Sequence, residues 1–347
     1  MLKIGIAGIG FMGMIHYLAW QRVPGSKVVA LSSRDPKKRA GDWRGIQGNF
    51  GPPGKRMHLR GVRAFETFDE LVAQSDIDLV DICLPNSGHC KAALAAADAR
   101  KHVLCEKPIA LNVTDAKRMV ASASKAGMQL MIGHILPFFP EYCFALSALW
   151  SGKYGKVRGG HFKRVISDRP PAANYFDAAE IGGPLIDLHI HDAHFIRLLF
   201  GMPTAVFSRG RTRGDVVEFA ETQFVFEDTS QMVSATCGVI PQHGRSFTHG
   251  FEIHFDRATL LFDFAMLGGK PHVATPLTVL DAKGKATQPK LGSGDPVDAF
   301  VAELREVACS IKSGRPSNIL SGQLASDALQ ICLRENQSVK SGRLVKI

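Results

Sequence analysis

An apolar run broken by a glycine-rich turn opens this chain and limits its fold more than any other segment. Leu2 to Ala7 reads as a buried strand, and Gly8-Ile9-Gly10-Phe11-Met12-Gly13 follows at once. Met14 to Arg22 then has helical character, Pro24-Gly25 closes it, and Lys27 to Leu31 forms a second apolar strand. Strand, GxGxxG turn, helix and strand within about 30 residues is the unit that binds a dinucleotide at the carboxyl edge of a sheet. The glycines permit a tight turn and bring the backbone close to a pyrophosphate. The helix behind them offers unbonded N–H groups and the positive end of its dipole. Gly8, Gly10, Phe11, Met12 and Gly13 are therefore the candidate phosphate-side residues.

The alternation continues. Thr67-Phe68-Asp69-Glu70 is a capping box that opens a short helix. Leu79 to Leu84 and Val103 to Cys105 read as strands, with an alanine-rich helix from Ser87 to Arg100 between them. Asn112 to Ala126 is helical in period, Gly127 caps it, and Gln129 to Ile132 closes the series. Strands alternating with helices give a doubly wound parallel sheet. A chain of 347 residues exceeds what one core of roughly 250–300 residues sustains, so a second domain is expected. In it, Thr222–Phe226 and Gln231–Thr236 flank a turn, as do Phe251–Phe255 and Thr259–Asp263. These are successive hairpins of an antiparallel sheet. The expected fold is α/β, with a nucleotide-binding domain over 1–126 and a substrate and oligomerisation domain over 127–347, whose last helix can pack back on the first.

The end of the second strand bears on cofactor choice. It reads Leu31-Ser32-Ser33-Arg34-Asp35, with serine where NAD-preferring sites carry an acid for the ribose 2′-hydroxyl. Ser33 can hydrogen-bond a 2′-phosphate and Arg34 can bind it as a planar, charge-assisted partner. NADP(H) is the expected cofactor and NAD(H) remains open, because a slip of one residue would put Asp35 at the ribose. Gly41 to Gly61 has no period and reads as a long surface loop. Segment 34–63 holds nine Lys and Arg against two Asp, either a solvated face or a positive field at the adenosine end.

The formal charge of +10 favours anionic ligands, but no basic stripe interleaved with aromatics points to nucleic acid. Seven scattered cysteines, with no CxxC pair, argue against a disulfide framework or a zinc ribbon and for a reducing compartment. No apolar run reaches membrane-spanning length and no basic, apolar leader stands before Leu2, so a cytoplasmic, membrane-free protein is expected.

Residues 5–16, GIAGIGFMGMIH, 80–108, VDICLPNSGHCKAALAAADARKHVLCEKP, and 182–192, GGPLIDLHIHD, resemble the glucose–fructose oxidoreductase / inositol dehydrogenase (Gfo/Idh/MocA) family. The helical stretch 296–313 and the ending Ala325 to Val345 resemble that family's C-terminal pattern. The resemblance implies a nucleotide-binding domain followed by an α/β domain with a large open, mostly antiparallel sheet, whose outer face forms homodimers or homotetramers. It also implies hydride transfer to or from a sugar, cyclitol or related polyol, with a small-molecule substrate.

Such transfer needs one group to polarise the reacting oxygen and one to move its proton. Lys107, in Glu106-Lys107-Pro108, follows a strand end on the ligand-binding side of the sheet. The resemblance places it at the reacting oxygen, where a cation stabilises alkoxide charge. Asp187 and His191 are four apart and share one face if Pro184 to Phe200 is a helix. The resemblance makes His191 the acid/base, an imidazole titrating near neutrality, and Asp187 its support or a hydroxyl partner. His194 is expected to line the substrate pocket, Asp192 to sit behind it or on the helix surface. His189 points away from His191, so this cluster is not expected to bind metal. Leu84, Pro85, Asn86 and His89 match cofactor-side positions, with Glu106 beside them; His89 is equally readable as the start of its helix. His16 is a weaker candidate. Arg164, Asn174 and Tyr175 lie where the family draws specificity contacts. Ile135 to Tyr142 is more apolar than in sugar-active members, which suggests a less sugar-like substrate.

Two other readings stand beside the dehydrogenase. One is a nucleotide-binding regulatory protein without turnover; the other is an enzyme that recycles a tightly held NAD(P).

Overall fold

The computed structural model describes residues 1–48, 50–168, 176–292 and 294–347. The chain divides into two compact units, Met1–Phe138 with Ser293–Ser326, and Phe139–Gly292 with Asp327–Ile347. The first unit thus runs beyond residue 126 and takes in a segment from near the C-terminus.

The first unit is built on strands β1 (Leu2–Ala7), β2 (Ser26–Ser32), β3 (Arg63–Phe65), β4 (Leu79–Ile82), β5 (His102–Glu106) and β6 (Leu130–Gly133). Their order is β3-β2-β1-β4-β5-β6, and each neighbouring pair is parallel. Chain direction across the sheet reverses between β1 and β4, the position where open sheets of this kind take ligands. The helices are α1 (Phe11–Trp20), α2 (Pro36–Arg39), α3 (Phe68–Val72), α4 (His89–Asp98) and α5 (Val113–Ala126). Their ends follow local chemistry. Thr67 and Glu70 form the expected reciprocal cap of α3. Asn112 accepts the Asp115 N–H at the start of α5, and Gly127 ends it in the left-handed region at φ 70°. The helix Pro296–Ser313 (α8) adds Phe300, Val301, Leu304 and Val307 to a core shared with Ile4, Ile6, Ile15, Trp20 and Leu79. Burying each such side chain is worth about 1.5–3 kcal/mol, which ties α8 to this unit.

The segment 41–61 is a loop whose described residues are mostly exposed, as its composition suggests, but it is anchored in the core. Trp43 is fully buried and Ile46 nearly so. The Trp43 ring meets Tyr17 of α1 edge-on at 5.0 Å, and its Nε1–H donates to the Lys38 carbonyl at 2.9 Å. Phe50 meets Phe11 edge-on at 4.8 Å and stacks on Phe300 at 5.5 Å. Close approach requires the glycines: a Cβ on Gly54 would lie 1.9 Å from the Trp43 carbonyl oxygen. Without a repeat to mark which residues face inward, the packing of two aromatic anchors is not visible in sequence.

In the second unit, β7 (Val157–Ser167), β8 (Ala205–Arg213), β9 (Val216–Val225), β10 (Met232–Ile240), β11 (Arg245–Phe255), β12 (Ala258–Leu267), β13 (Lys270–Asp281), β14 (Ala286–Thr287) and β15 (Val345–Lys346) form one sheet. Its order is β14-β13-β12-β11-β7-β10-β9-β8-β15. All pairings are antiparallel except β7 with β10. Both expected hairpins are present, as β9–β10 and β11–β12. The helices of this unit are α6 (Pro140–Trp150), α7 (Ile190–Phe200) and most of α9 (Gly322–Ser341). Ile135 and Phe138 pack against the first unit's core, and Leu136 and Tyr142 are buried. Part of that run's apolar character is therefore core chemistry. Among the described residues, no helix is long and apolar enough to cross a membrane.

Candidate active site

The first unit offers a nucleotide cradle. Gly8 has φ 93°, and a Cβ there would lie 2.6 Å from the Cys83 carbonyl oxygen. A Cβ on Gly13 would lie 2.1 Å from the Gly8 carbonyl oxygen, whereas one on Gly10 would meet nothing within 4 Å. Two glycines thus close the turn on itself and the third leaves its outer side open. Gly10 gives α1 no side-chain cap, and the first turn has no acidic residue. The leading N–H groups, with Phe11, Met12 and Gly13, are left for an anion. These residues fit a dinucleotide.

At the end of β2, Ser33 is half-buried and Arg34 exposed. Asp35 is engaged locally: its Oδ1 accepts the Lys37 N–H at 2.8 Å as the cap of α2. Arg39 donates to the carbonyls of Ser33 at 2.7 Å and Arg34 at 3.0 Å, and so pins the turn that presents both side chains. Sequence spacing gave no sign of that staple.

The cofactor-side segment after β4 holds Leu84, Pro85 and Asn86, with Asn86 opening a single turn before α4. His89 does not join them. It is fully buried, with Nδ1 2.8 Å from the Pro108 carbonyl and Nε2 2.9 Å from that of Leu84. Burial pushes its pKa down. Its ring links the loops that follow β4 and β5, so it is a brace between strand ends. Lys107 is the first residue after β5 and is half-buried; the Lys107–Pro108 peptide is cis.

Beneath this edge lies a cluster that sequence reading missed. His16 Nδ1 is 3.0 Å from each oxygen of Asp81, and its Nε2 is 3.0 Å from Glu106 Oε1. Burial works against a charged imidazole, yet the Asp81 carboxylate, then Cys83, hold its pKa well above the ordinary value. Glu303 of α8 faces the same cluster with no solvent exposure and no hydrogen-bond partner at either oxygen. Burial raises its pKa well above the carboxylate range, and Glu106 and Asp81 add to the rise. His16, Asp81 and Cys83 also place three ligand-type atoms within 4.8 Å. Trp20 Nε1–H already occupies Asp81 Oδ2 at 2.8 Å, and burial keeps the Cys83 thiol protonated, so protons account for these contacts.

In the second unit the expected helix from Pro184 is a wider π turn, Leu185–His189, that leads into α7. The turn alters the spacing but not the sorting. Asp187 and His191 are partly exposed, while Leu188, His189, Ile190 and Asp192 are buried. A π turn inside a helix is a common mark of a functional segment. His189 is spent inside: Nε2 lies 3.1 Å from Glu335 Oε1 of α9. Asp192 is not on the helix surface: it is buried, and its carboxylate binds Arg164 through Nε at 2.6 Å and Nη2 at 3.0 Å. Arg164 is therefore not a substrate contact; it is 4% exposed and its guanidinium is committed to that internal pair. Tyr142 O–H approaches His249 Nδ1 at 3.0 Å in the same interior, and burial, then Arg164, keeps His249 neutral. His194 has no exposed surface and does not line a pocket open to solvent. Asn174 and Tyr175 lie outside the described residues.

Glu303 gives a pH prediction. A carboxyl whose folded pKa is raised stabilises the fold fully below its ordinary value near 4.5 and loses that contribution as pH rises towards the folded value. Glu303→Gln has no such proton to lose. Its melting temperature should fall less between pH 5 and pH 8 than that of the parent, measured by calorimetry; parallel curves would show that Glu303 carries no proton in the fold.

Comparison with known proteins agrees with this architecture. Residues 2–134 match the model described as "Oxidoreductase family, NAD-binding Rossmann fold", and 145–261 match the "GFO/IDH/MocA C-terminal domain". The chain is 26% identical over 362 residues to myo-inositol 2-dehydrogenase of Thermotoga maritima, covering 100% of this chain and 98% of that protein. It is 29% identical over 264 residues to 1,5-anhydro-D-fructose reductase of Ensifer adhaerens, covering 74% and 76%. Among solved structures, the aldose–aldose oxidoreductase of Caulobacter crescentus, complexed with glycerol, superposes with a TM-score of 0.75 at 26% identity, over 100% of this chain and 99% of that one. With its NAD-binding Rossmann unit and its C-terminal sheet, the chain belongs to the Gfo/Idh/MocA family of oxidoreductases.

Proposed function

We propose that this protein transfers hydride between NADP(H) and a small sugar, cyclitol or related hydroxy or keto compound. The sorting of polar residues along 187–192 carries the reading. His189 and Asp192 are tied into the interior by Glu335 and Arg164, which leaves Asp187 and His191 as the groups with access to solvent. The inositol dehydrogenase and anhydrofructose reductase relatives support the substrate class.

Bound nicotinamide accepts or supplies the hydride. The chain's own residues manage the oxygen. In oxidation, the substrate hydroxyl loses its proton to the imidazole of His191 as the carbon loses hydride, and the ammonium of Lys107 stabilises the developing oxyanion. Asp187 orients the imidazole or holds a neighbouring hydroxyl. Reduction runs the same steps backwards, with His191 returning the proton to the carbonyl oxygen. Lys107→Met should lower kcat by about 100-fold to 1000-fold while NADPH still binds in a fluorescence titration. Turnover at the parental rate would remove Lys107 from the mechanism.

The preference for NADP(H) is supported by Ser33 and Arg34 at the end of β2 and by the diversion of Asp35 to the α2 cap. A charge-assisted contact is worth about 1.5–3 kcal/mol, so Arg34→Ala should weaken NADPH binding about 10-fold to 100-fold and leave NADH binding nearly unchanged. Equal losses for both cofactors would move 2′-phosphate recognition away from Arg34.

A second copy of the chain is proposed to cover the outer face of the second unit's sheet. Strand register puts Met232, Gly159, His254, Thr259 and Leu280 in one row across five strands, and Met232 is 72% exposed. Phe207, Val225 and Leu280 are exposed as well. Light scattering should report a dimer or tetramer mass, against 37.7 kDa for one chain. Met232→Asp should shift that mass downwards; a monomer in the parent rejects the interface.

A further inference from the structure

His16 takes no part in the proposed chemistry, yet it is an ionisable group held on both sides inside the first unit. It lies one turn past the glycine loop, has no solvent exposure, and has a carboxylate at each ring nitrogen. A neutral imidazole carries one N–H, so its second nitrogen would turn a lone pair towards a carboxylate. Between Asp81 and Glu106 the doubly protonated ring suits both contacts. The Nδ1 side is a hydrogen bond at 3.0 Å. The Nε2 side, also 3.0 Å, is an ion pair too far off the N–H axis to count as one.

Both ends of this line are anchored. Trp20 Nε1–H donates to Asp81 Oδ2 at 2.8 Å. Glu106 Oε2 accepts the Lys107 backbone N–H at 3.2 Å. On the neighbouring strand, Gly133 pairs with Glu106 and leaves room for its side chain, since a Cβ there would lie 3.3 Å from Oε1. A continuous set of contacts therefore runs from α1 through β4 and β5 to the amide of the residue proposed to polarise the substrate.

We propose that His16 is a positioning residue for Lys107: by holding Glu106 against the Lys107 amide, it fixes the strand end from which the lysine side chain departs. The inference rests on Lys107 acting at the reacting oxygen. His16 itself touches neither substrate nor cofactor in this scheme.

The ionisable groups that face His16 are Asp81 and Cys83 at the end of β4, Glu106 of β5 and Glu303 of α8. Asp81→Asn removes the nearest charge and keeps an oxygen that can accept one hydrogen bond. His16 should then lose its proton within the assay range, and Glu106 loses its cation. The sign follows: activity is retained at low pH and falls as pH rises, with a step absent from the parent's profile.

Four variants and the parent make the test. In Asp81→Asn, kcat should fall by about 10-fold to 100-fold across the new alkaline step, while KM for NADPH stays within about threefold. The step should persist in D81N/E303Q, which excludes Glu303 as its source. Glu106→Gln keeps an oxygen for the Lys107 N–H but removes the charge that faces the imidazolium, so it should lower kcat by about 10-fold to 100-fold at every pH, without a new step. It also carries the test if Asp81→Asn does not fold. Parental kcat and parental pH profile in the folded variants, with only the melting temperature lowered, would make the cluster structural and overturn the inference. Lys107→Met separates the two readings. If it turns over normally, the proposed mechanism fails; if it is dead while D81N and E106Q match the parent, only the role of His16 fails.

Discussion

A side chain on Gly13 would bring its first carbon to 2.1 Å from the Gly8 carbonyl oxygen. That steric limit lets α1 start within one turn of β1, and much of the first unit depends on it. It sets the helix N-terminus against the reversal point of the sheet between β1 and β4. It also places the inner face of α1 over β4 and β5, where His16 and Trp20 reach Asp81. Two glycines therefore provide an uncapped helix end for an anion and a buried helix face for a charged cluster.

That cluster concentrates charge where the dielectric is low. Asp81, His16, Glu106 and Glu303 are all buried, and an unpaired ion there would cost several kcal/mol. The arrangement avoids this in two ways. The imidazolium lies between two carboxylates, and the third carboxyl keeps its proton. The second unit uses the same physics differently: Arg164 with Asp192, and His189 with Glu335, are internal pairs that fix α7 to the sheet and to α9. Pairing of this kind consumes the buried polar groups of this segment and leaves Asp187 and His191 partly exposed.

How much was legible in sequence depended on how local the cause was. The glycine turn, the Thr67–Glu70 cap, the Gly127 stop and both hairpins rest on interactions within a few residues, and each appears where pattern put it. The failures were long-range. Arg164 is twenty-eight residues from its partner Asp192, and nothing nearby signals that its charge is internal. His194 was expected to line a substrate pocket, yet its ring lies wholly inside the fold; His89, read evenly as a cofactor-side residue or as the start of its helix, does start α4, with its ring buried. Segment 41–61 looked like a solvated loop because glycine, proline and basic residues dominate it, while Trp43 anchors it in the core.

The sequence by itself determined the fold class, the position of the nucleotide turn and the candidate set Lys107, Asp187 and His191. Backbone sterics, capping and periodicity act over short stretches, and they leave their mark in residue order. Tertiary structure alone decided which polar residues are consumed by the fold. It turned Asp35 into a helix cap, His89 into a brace, and Arg164 and Asp192 into an internal pair, and it joined His16 to Glu106 across ninety residues of chain. A buried charge must find its partner wherever the topology brings one, so its role is fixed by distance in space and burial rather than by spacing along the chain.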